Sequence, residues 1–229
     1  MSDHPTIKTI LTGKAVPYTR RGSLSGILKS PCHQVAVTEM GLVGDEQGDP
    51  RVHGGPEKAI HHYPFDHYSA WVRELGPIAL LQAPGAFGKN LSTLGWTEET
   101  VCLGDCFKVG TVTLQISQGR MPCWKLNDRL AVKDMSLRVQ RSGRTGWYYR
   151  VLEGGTIVTG DRIALVERRY PAWTVARVAS VLFSSGFSKE QIEECLGLPL
   201  TASWRRTLEK RLEKSQIEDW NPRLEGPKA

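Results

Sequence analysis

The residue with the clearest chemical potential is Cys123, in the stretch from Ser117 to Asn127 with Arg120 and Lys125 as its nearest cations. Positive neighbours favour thiolate over thiol, and thiolate is the form that attacks electrophiles or binds soft metals. The plain alternative is a small buried hydrophobe. A second concentration of reactive types runs from Asp49 to Tyr63, where Arg51, His53, Gly54, Gly55, Lys58, His61 and His62 fall close together. Paired glycines beside Arg, His and Lys suit an oxyanion site, because backbone N–H groups approach closely and side-chain cations add charge. A solvated basic loop would have the same composition.

Three chemistries are compatible with these residues. A zinc site would draw on His53, His61, His62 and His67 with a cysteine, but the spacings match no common ligand pattern. A cysteine nucleophile with a histidine base needs Cys123 to meet His53 or His62 in the fold. In the third, a thiolate ligates a soft or redox metal, while the Arg, His, Lys and Gly loops hold the phosphate and polar atoms of an organic cofactor.

Composition sets the context. The chain has 229 residues, a formal net charge of +6 and a pI near 9.1. It is long enough for one medium domain and a smaller one, and its charge favours anions: phosphate-bearing cofactors, an acidic protein or nucleic acid. Its 5 cysteines are scattered, no N-terminal apolar stretch follows a basic start, and no apolar run reaches a membrane span. The expectation is a reduced, cytoplasmic protein without a membrane segment.

The elements that must position these residues are short strands between glycine turns. Val112, Leu114 and Ile116 alternate with polar residues, which predicts a strand that ends just before Cys123, with Gly119 and Pro122 placing the cysteine on a turn. Strands are also predicted at Ile7 to Leu11, at Val35 onward into the Gly41 and Gly44 loop, on both sides of a Gly104–Asp105 turn, and twice between Gly146 and Arg168. Tyr68, Trp71, Val72 and Leu75 have helical spacing with a stop at Gly76, and a second helix is expected from Asn127 or Asp128 through about Arg141. The pattern argues for a β-barrel with peripheral helices over residues 1–168. Residues 169–229 read as a small three-helix subdomain: an apolar helix through Phe183, a second capped by Ser188, and a third carrying Trp204, Leu208 and Leu212. Glu209 and Glu213 interleave the basic residues of that last helix, which speaks for a solvated face and against a nucleic-acid partner. The tail after Trp220 reads as frayed.

Six stretches in this order resemble the MOSC domain family, the molybdenum-cofactor sulfurase C-terminal type domains. They are GLVGDEQ (Gly41 to Gln47), RVHGGPEKA (Arg51 to Ala59), AFGKNLST (Ala86 to Thr93), LGD (Leu103 to Asp105), QGRMPCWKL (Gln118 to Leu126) and GWYYRVLEGG (Gly146 to Gly155). The appended helices make the YiiM-like branch the nearest match. The resemblance implies a β-barrel that binds a molybdopterin-type molybdenum cofactor, with Cys123 as the protein ligand to molybdenum and the catalytic thiolate. It places Lys29, Arg51, His53, Gly54, Gly55, Lys58, His62, Asn90 and Arg120 around the cofactor. It also implies reduction of N-hydroxylated compounds, including hydroxylated purine base analogues, to amines by oxygen-atom transfer, a detoxifying reaction. Asp45, His62 or water would supply protons. No flavin, haem or iron–sulfur motif is evident, so electrons would come from a separate flavoprotein reductase, and the extra helical lobe would suit a homodimer. A cofactor carrier, or a sulfur-transfer protein using a Cys123 persulfide without turnover, is the alternative. Two positions depart from the family pattern: Lys89 stands where Glu is usual, reversing a charge near the expected site, and Gly119 stands where Pro is common, loosening the loop.

Overall fold

Val112, Leu114 and Ile116 turn inward from one face of the strand Val112–Gly119, as their alternation requires. That strand is the tenth of thirteen in residues 5–227, the residues described by the structure, which is a computed structural model. The side chains of Arg51 and Val52 lie outside the described residues. In chain order the strands are β1 (Thr9–Thr12), β2 (Val16–Pro17), β3 (Leu24–Ser25), β4 (Ser30–Cys32), β5 (Gln34–Thr38), β6 (Gly41–Leu42), β7 (Ile60–His62), β8 (Leu91–Ser92), β9 (Cys106–Val109), β10 (Val112–Gly119), β11 (Trp147–Glu153), β12 (Gly155–Val158) and β13 (Ile163–Glu167). The helices are α1 (Pro50–His53), α2 (His67–Leu75), α3 (Lys125–Leu130), α4 (Met135–Ser142), α5 (Val175–Phe183), α6 (Lys189–Leu196), α7 (Ala202–Lys214) and α8 (Asn221–Leu224).

Eight of the strands make one curled sheet in the order β13, β9, β10, β11, β7, β8, β1, β4, antiparallel except where β7 meets β8. A smaller sheet, β12, β5, β6, takes over where β11 turns at Gly154 into β12. The result is the expected mostly-β architecture, a half-barrel with peripheral helices. Two apolar clusters hold it. The larger joins the sheet interior to α5, α6 and α7 through Val175, Val178, Leu182, Ile192, Trp204 and Leu208. The second joins α2, α3 and α4 through Trp71, Leu126, Met135 and Val139, together with the mutually stacked rings of Tyr63 and Phe87. The three C-terminal helices thus share the core of the sheet, and a bridge between Cys102 and Thr174 ties their entry to it.

Three expectations change. The helix expected through Arg141 is two helices: Ala131 adopts a left-handed conformation (φ 54) and closes α3, and the Asn127 side chain accepts from the Ser136 amide at 2.7 Å near the start of α4. The apolar stripe of Val132, Met135 and Val139 continues across the break, so periodicity alone hides it. The Gly104–Asp105 turn does not join two strands of a hairpin; Asp105 accepts from the Cys102 amide at 2.8 Å and from Arg168 at 2.6 Å, and the hairpin is β9 to β10 about Gly110. Within the described residues, the tail expected to fray is packed from 221 to 227, with α8 and Leu224 against the helices.

Candidate functional site

Gly119 closes β10 where a side chain has little room: a Cβ there would lie 3.3 Å from both Trp204 and Val175. The loop it starts is therefore pinned by packing, not loosened. Pro122 and Cys123 follow, and α3 begins at Lys125. Cys123 is 9% exposed and lines a cavity of about 560 Å³, including its open mouth.

The structure brings Lys29, His53, Lys58, Asn90, Arg120 and Cys123 to the walls of this cavity, from segments far apart in sequence. Cys123 Sγ lies 3.6 Å from His53 Nε2, the meeting that a thiol–histidine pair requires. His53 Nδ1 is buried without a partner among the described residues. Burial, reinforced by Lys125, Arg120 and Lys58, pulls the His53 pKa down to about 4, so the imidazole is neutral near pH 7. Arg120 and Lys125 are both buried, and their hydrogen bonds run to backbone carbonyls: Arg120 to Phe87 O at 3.2 Å, Lys125 to Leu24 O at 2.7 Å. Lys29 is different, because its ammonium is paired with Asp45. Asp45 also accepts from the Gly13 amide and from Asn90 Nδ2, each at 2.8 Å. Asn90 is itself committed, receiving the His61 amide and donating to Leu11 O. Lys29, Asp45 and Asn90 therefore form one interlocked wall.

Several expected residues lie elsewhere. His62 is fully buried on the other side of β7, with its ring nitrogens against Tyr149 Oη at 3.1 Å and Thr93 Oγ1 at 2.8 Å and its face on Trp147. Its neighbour His61 lines the cavity instead, since successive strand side chains point to opposite faces. Gly54 and Gly55 do not line it: Gly54 closes on the Gln47 side chain, and Gly55 supplies a left-handed turn (φ 88) before Pro56. The close backbone approaches are at Gly26 and Gly48, where a Cβ would fall 1.9 Å from Glu46 O and 2.0 Å from Leu24 O. Lys89 turns away from the cavity between Phe87 and Asn90, its ammonium boxed by Tyr63, Phe65 and Tyr68. The Arg51 side chain lies outside the described residues. Sequence reasoning gave Tyr148 no role, yet it lines the cavity and rests against His61 at 4.9 Å. Its signal was alternation along β11, where Trp147 and Tyr149 are buried and Tyr148 must face the other way.

Residues 49–164 match the model of the MOSC domain, and residues 173–215 match that of the YiiM-like 3-alpha helix domain. The chain belongs to the MOSC family. Protein YiiM of Escherichia coli is 39% identical over 95% of this chain and 97% of its own length. The crystal structure of YiiM from Escherichia coli superposes with a TM-score of 0.80 at 32% identity, covering 96% of this chain and 98% of the other. A protein of Gibberella moniliformis named "Reductase" is 38% identical over 84% of this chain, which spans 36% of that protein. No helix among the described residues is long and apolar enough to cross a membrane.

Proposed function

We propose that this MOSC protein is a molybdenum-cofactor-dependent reductase that converts N-hydroxylated compounds, N-hydroxylated purine base analogues among them, to amines, with Cys123 as the protein ligand to the metal. The observation that carries the reading is the donor set of the cavity. A thiol and a neutral imidazole face each other at 3.6 Å, beside two buried cations, Arg120 and Lys125, that have no carboxylate partner among the described residues. Buried cations held only by carbonyls favour an anion among them, and a soft metal favours the thiolate. A phosphate-bearing cofactor with a soft metal satisfies both, and the name of the Gibberella relative, "Reductase", is in keeping with redox chemistry.

The reaction takes one N-hydroxylated molecule, two electrons and two protons to one amine and one water. When bound, the cofactor supplies the two-electron centre that accepts the oxygen atom. The residues of the chain hold and shape that centre. Arg120, Lys125 and Lys58 neutralise the phosphate and other anionic atoms of the ligand. His53, neutral near pH 7, sits 3.6 Å from the Cys123 sulfur and would orient it towards the metal. Asp45 is held by Lys29, Asn90 and the Gly13 amide, so it braces the wall instead of shuttling protons. Burial keeps the Tyr148 phenol protonated, and that hydroxyl is the neutral donor on the cavity wall. Electrons come from a separate flavoprotein, and the net charge of +6 favours an acidic one.

Elemental analysis tests this directly, on protein purified from a host that makes the cofactor. Near-stoichiometric molybdenum in the wild type that is lost in Cys123→Ser is the expected result, followed by turnover of an N-hydroxylated amine. Absence of molybdenum from both proteins, with a negative pterin assay, would sink the proposal. Molybdenum without turnover would favour the carrier or sulfur-transfer reading.

A further inference from the structure

The chain beyond residue 215 lies outside both family matches, yet it returns to the loop that carries Cys123. The Trp124 amide donates to Arg223 O at 2.9 Å, and the Arg223 guanidinium donates to Pro122 O. One residue thereby holds the peptide group before Cys123 and the peptide group after it. The other arm of the same guanidinium donates to Gln140 Oε1 at 2.6 Å, anchoring the contact to α4. Next along the chain, Leu224 O accepts from Asn127 Nδ2 and Ser136 Oγ, both at 2.9 Å. Gly226 then lies on the Trp124 ring, where a Cβ would be 2.4 Å from Cγ, and adopts φ +72, a conformation suited to glycine. Arg20, 4.2 Å from the same ring, closes the assembly by donating to Glu225 O at 2.5 Å and Pro227 O at 2.6 Å.

We propose that Arg223 is a positioning residue for Cys123, and that residues 220–227 form a strap that fixes the backbone on both sides of that thiol. The inference rests on reading Cys123 as the working residue of the cavity. Its physical basis is that Cys123 follows the end of β10 and precedes α3, so no sheet ladder holds its flanking peptide groups. A planar guanidinium reaches Pro122 O and Gln140 Oε1 together, whereas a lysine ammonium makes one of these contacts with less direction.

Amide hydrogen exchange on the full chain without cofactor tests the strap. In Arg223→Met, the amides of residues 123–126 are expected to exchange at least tenfold faster, with residues 112–118 unchanged, and Arg223→Lys should recover part of the protection. In the wild type, the amides of 123–126 and of 223–225 should open together, with the same dependence on denaturant; this measurement stands even if the variants do not fold. Molybdenum content should fall at least twofold in Arg223→Met and recover partly in Arg223→Lys. Unchanged exchange at 123–126 in Arg223→Met, or a wild-type tail that exchanges freely beside a protected loop, would overturn the proposal. A wild type without molybdenum would count against the ligand reading of Cys123, while the exchange data would still decide the strap.

Discussion

Replacing Asp45 by Asn tests the account of the cavity wall most sharply. Asp45 and Lys29 have side chains only 2% and 5% exposed, and the carboxylate accepts from Lys29, the Gly13 amide and Asn90. Asn keeps the shape and one acceptor oxygen but removes the charge, leaving a buried ammonium with no carboxylate. Breaking a buried pair from one side costs about 3–5 kcal/mol. With a urea slope of about 3 kcal/mol per M, the unfolding midpoint should fall by about 1–1.7 M at pH 7. Lys29→Met should cost less, because the carboxylate retains two N–H donors, and the double variant should be more stable than Asp45→Asn alone. The pH dependence has a definite sign. Burial already lowers the Lys29 pKa even with Asp45 present, and removing the carboxylate lowers it further. The unfolded chain then binds more protons than the folded one between that lowered pKa and about 10.4, so the stability of Asp45→Asn rises with pH across this window. The deficit against wild type should therefore shrink between pH 7 and pH 10. A midpoint shift below about 0.3 M at pH 7, or a double variant no more stable than Asp45→Asn, would refute the reasoning.

Lys89 is fully buried, with one hydrogen bond to Tyr63 O at 3.1 Å, and burial holds its pKa well below the ordinary value. Lys89→Met should raise stability by about 1 kcal/mol at pH 7. That gain should fade towards pH 10, as the unfolded wild type loses the proton that the folded lysine holds only weakly. Urea midpoints at the two pH values check this, and a less stable variant at pH 7 would show that the aromatic box outweighs desolvation. His62, buried between Tyr149 and Thr93, has its pKa lowered from 6.5 to about 3. The unfolded chain binds the extra proton in that range, so wild-type stability should fall as pH drops from 6.5 towards 3, by at most about 1.4 kcal/mol per pH unit from this group. His62→Gln should show a shallower fall, and identical acid slopes in both proteins would contradict the assignment. Cys123→Ser should lose molybdenum, and Arg223→Met should loosen the backbone around Cys123, as measured by elemental analysis and hydrogen exchange.

Local pattern carried a large share of the architecture. The alternation of Val112, Leu114 and Ile116 specifies β10, because a strand must send successive side chains to opposite faces. The helical spacing from Tyr68 to Leu75 with its stop at Gly76 matches α2, and Ser188 caps α6 by accepting from the Gln191 amide. The motif order was enough to mark the family and the segment holding Cys123. It did not separate His61 from His62: both are buried, so no polarity contrast told which face was the cavity. It placed Lys89 near the site because the family pattern has Glu at that position, although the lysine side chain points into an aromatic pocket away from the cavity.

What the sequence determined by itself is the inventory and its local geometry: a cysteine at a strand end, cations around it, and glycines where the chain must turn. Tertiary structure alone decided which of those groups meet. Cys123 and His53 are 70 positions apart, Asp45 and Asn90 are 45 apart, and Arg223 reaches Pro122 across 101. Contacts of that range depend on how the sheet curls and which helices cover it. Those are properties of the packed whole, where burial turns the same lysine into a paired wall residue at 29, a carbonyl-held cation at 125 and a boxed ammonium at 89.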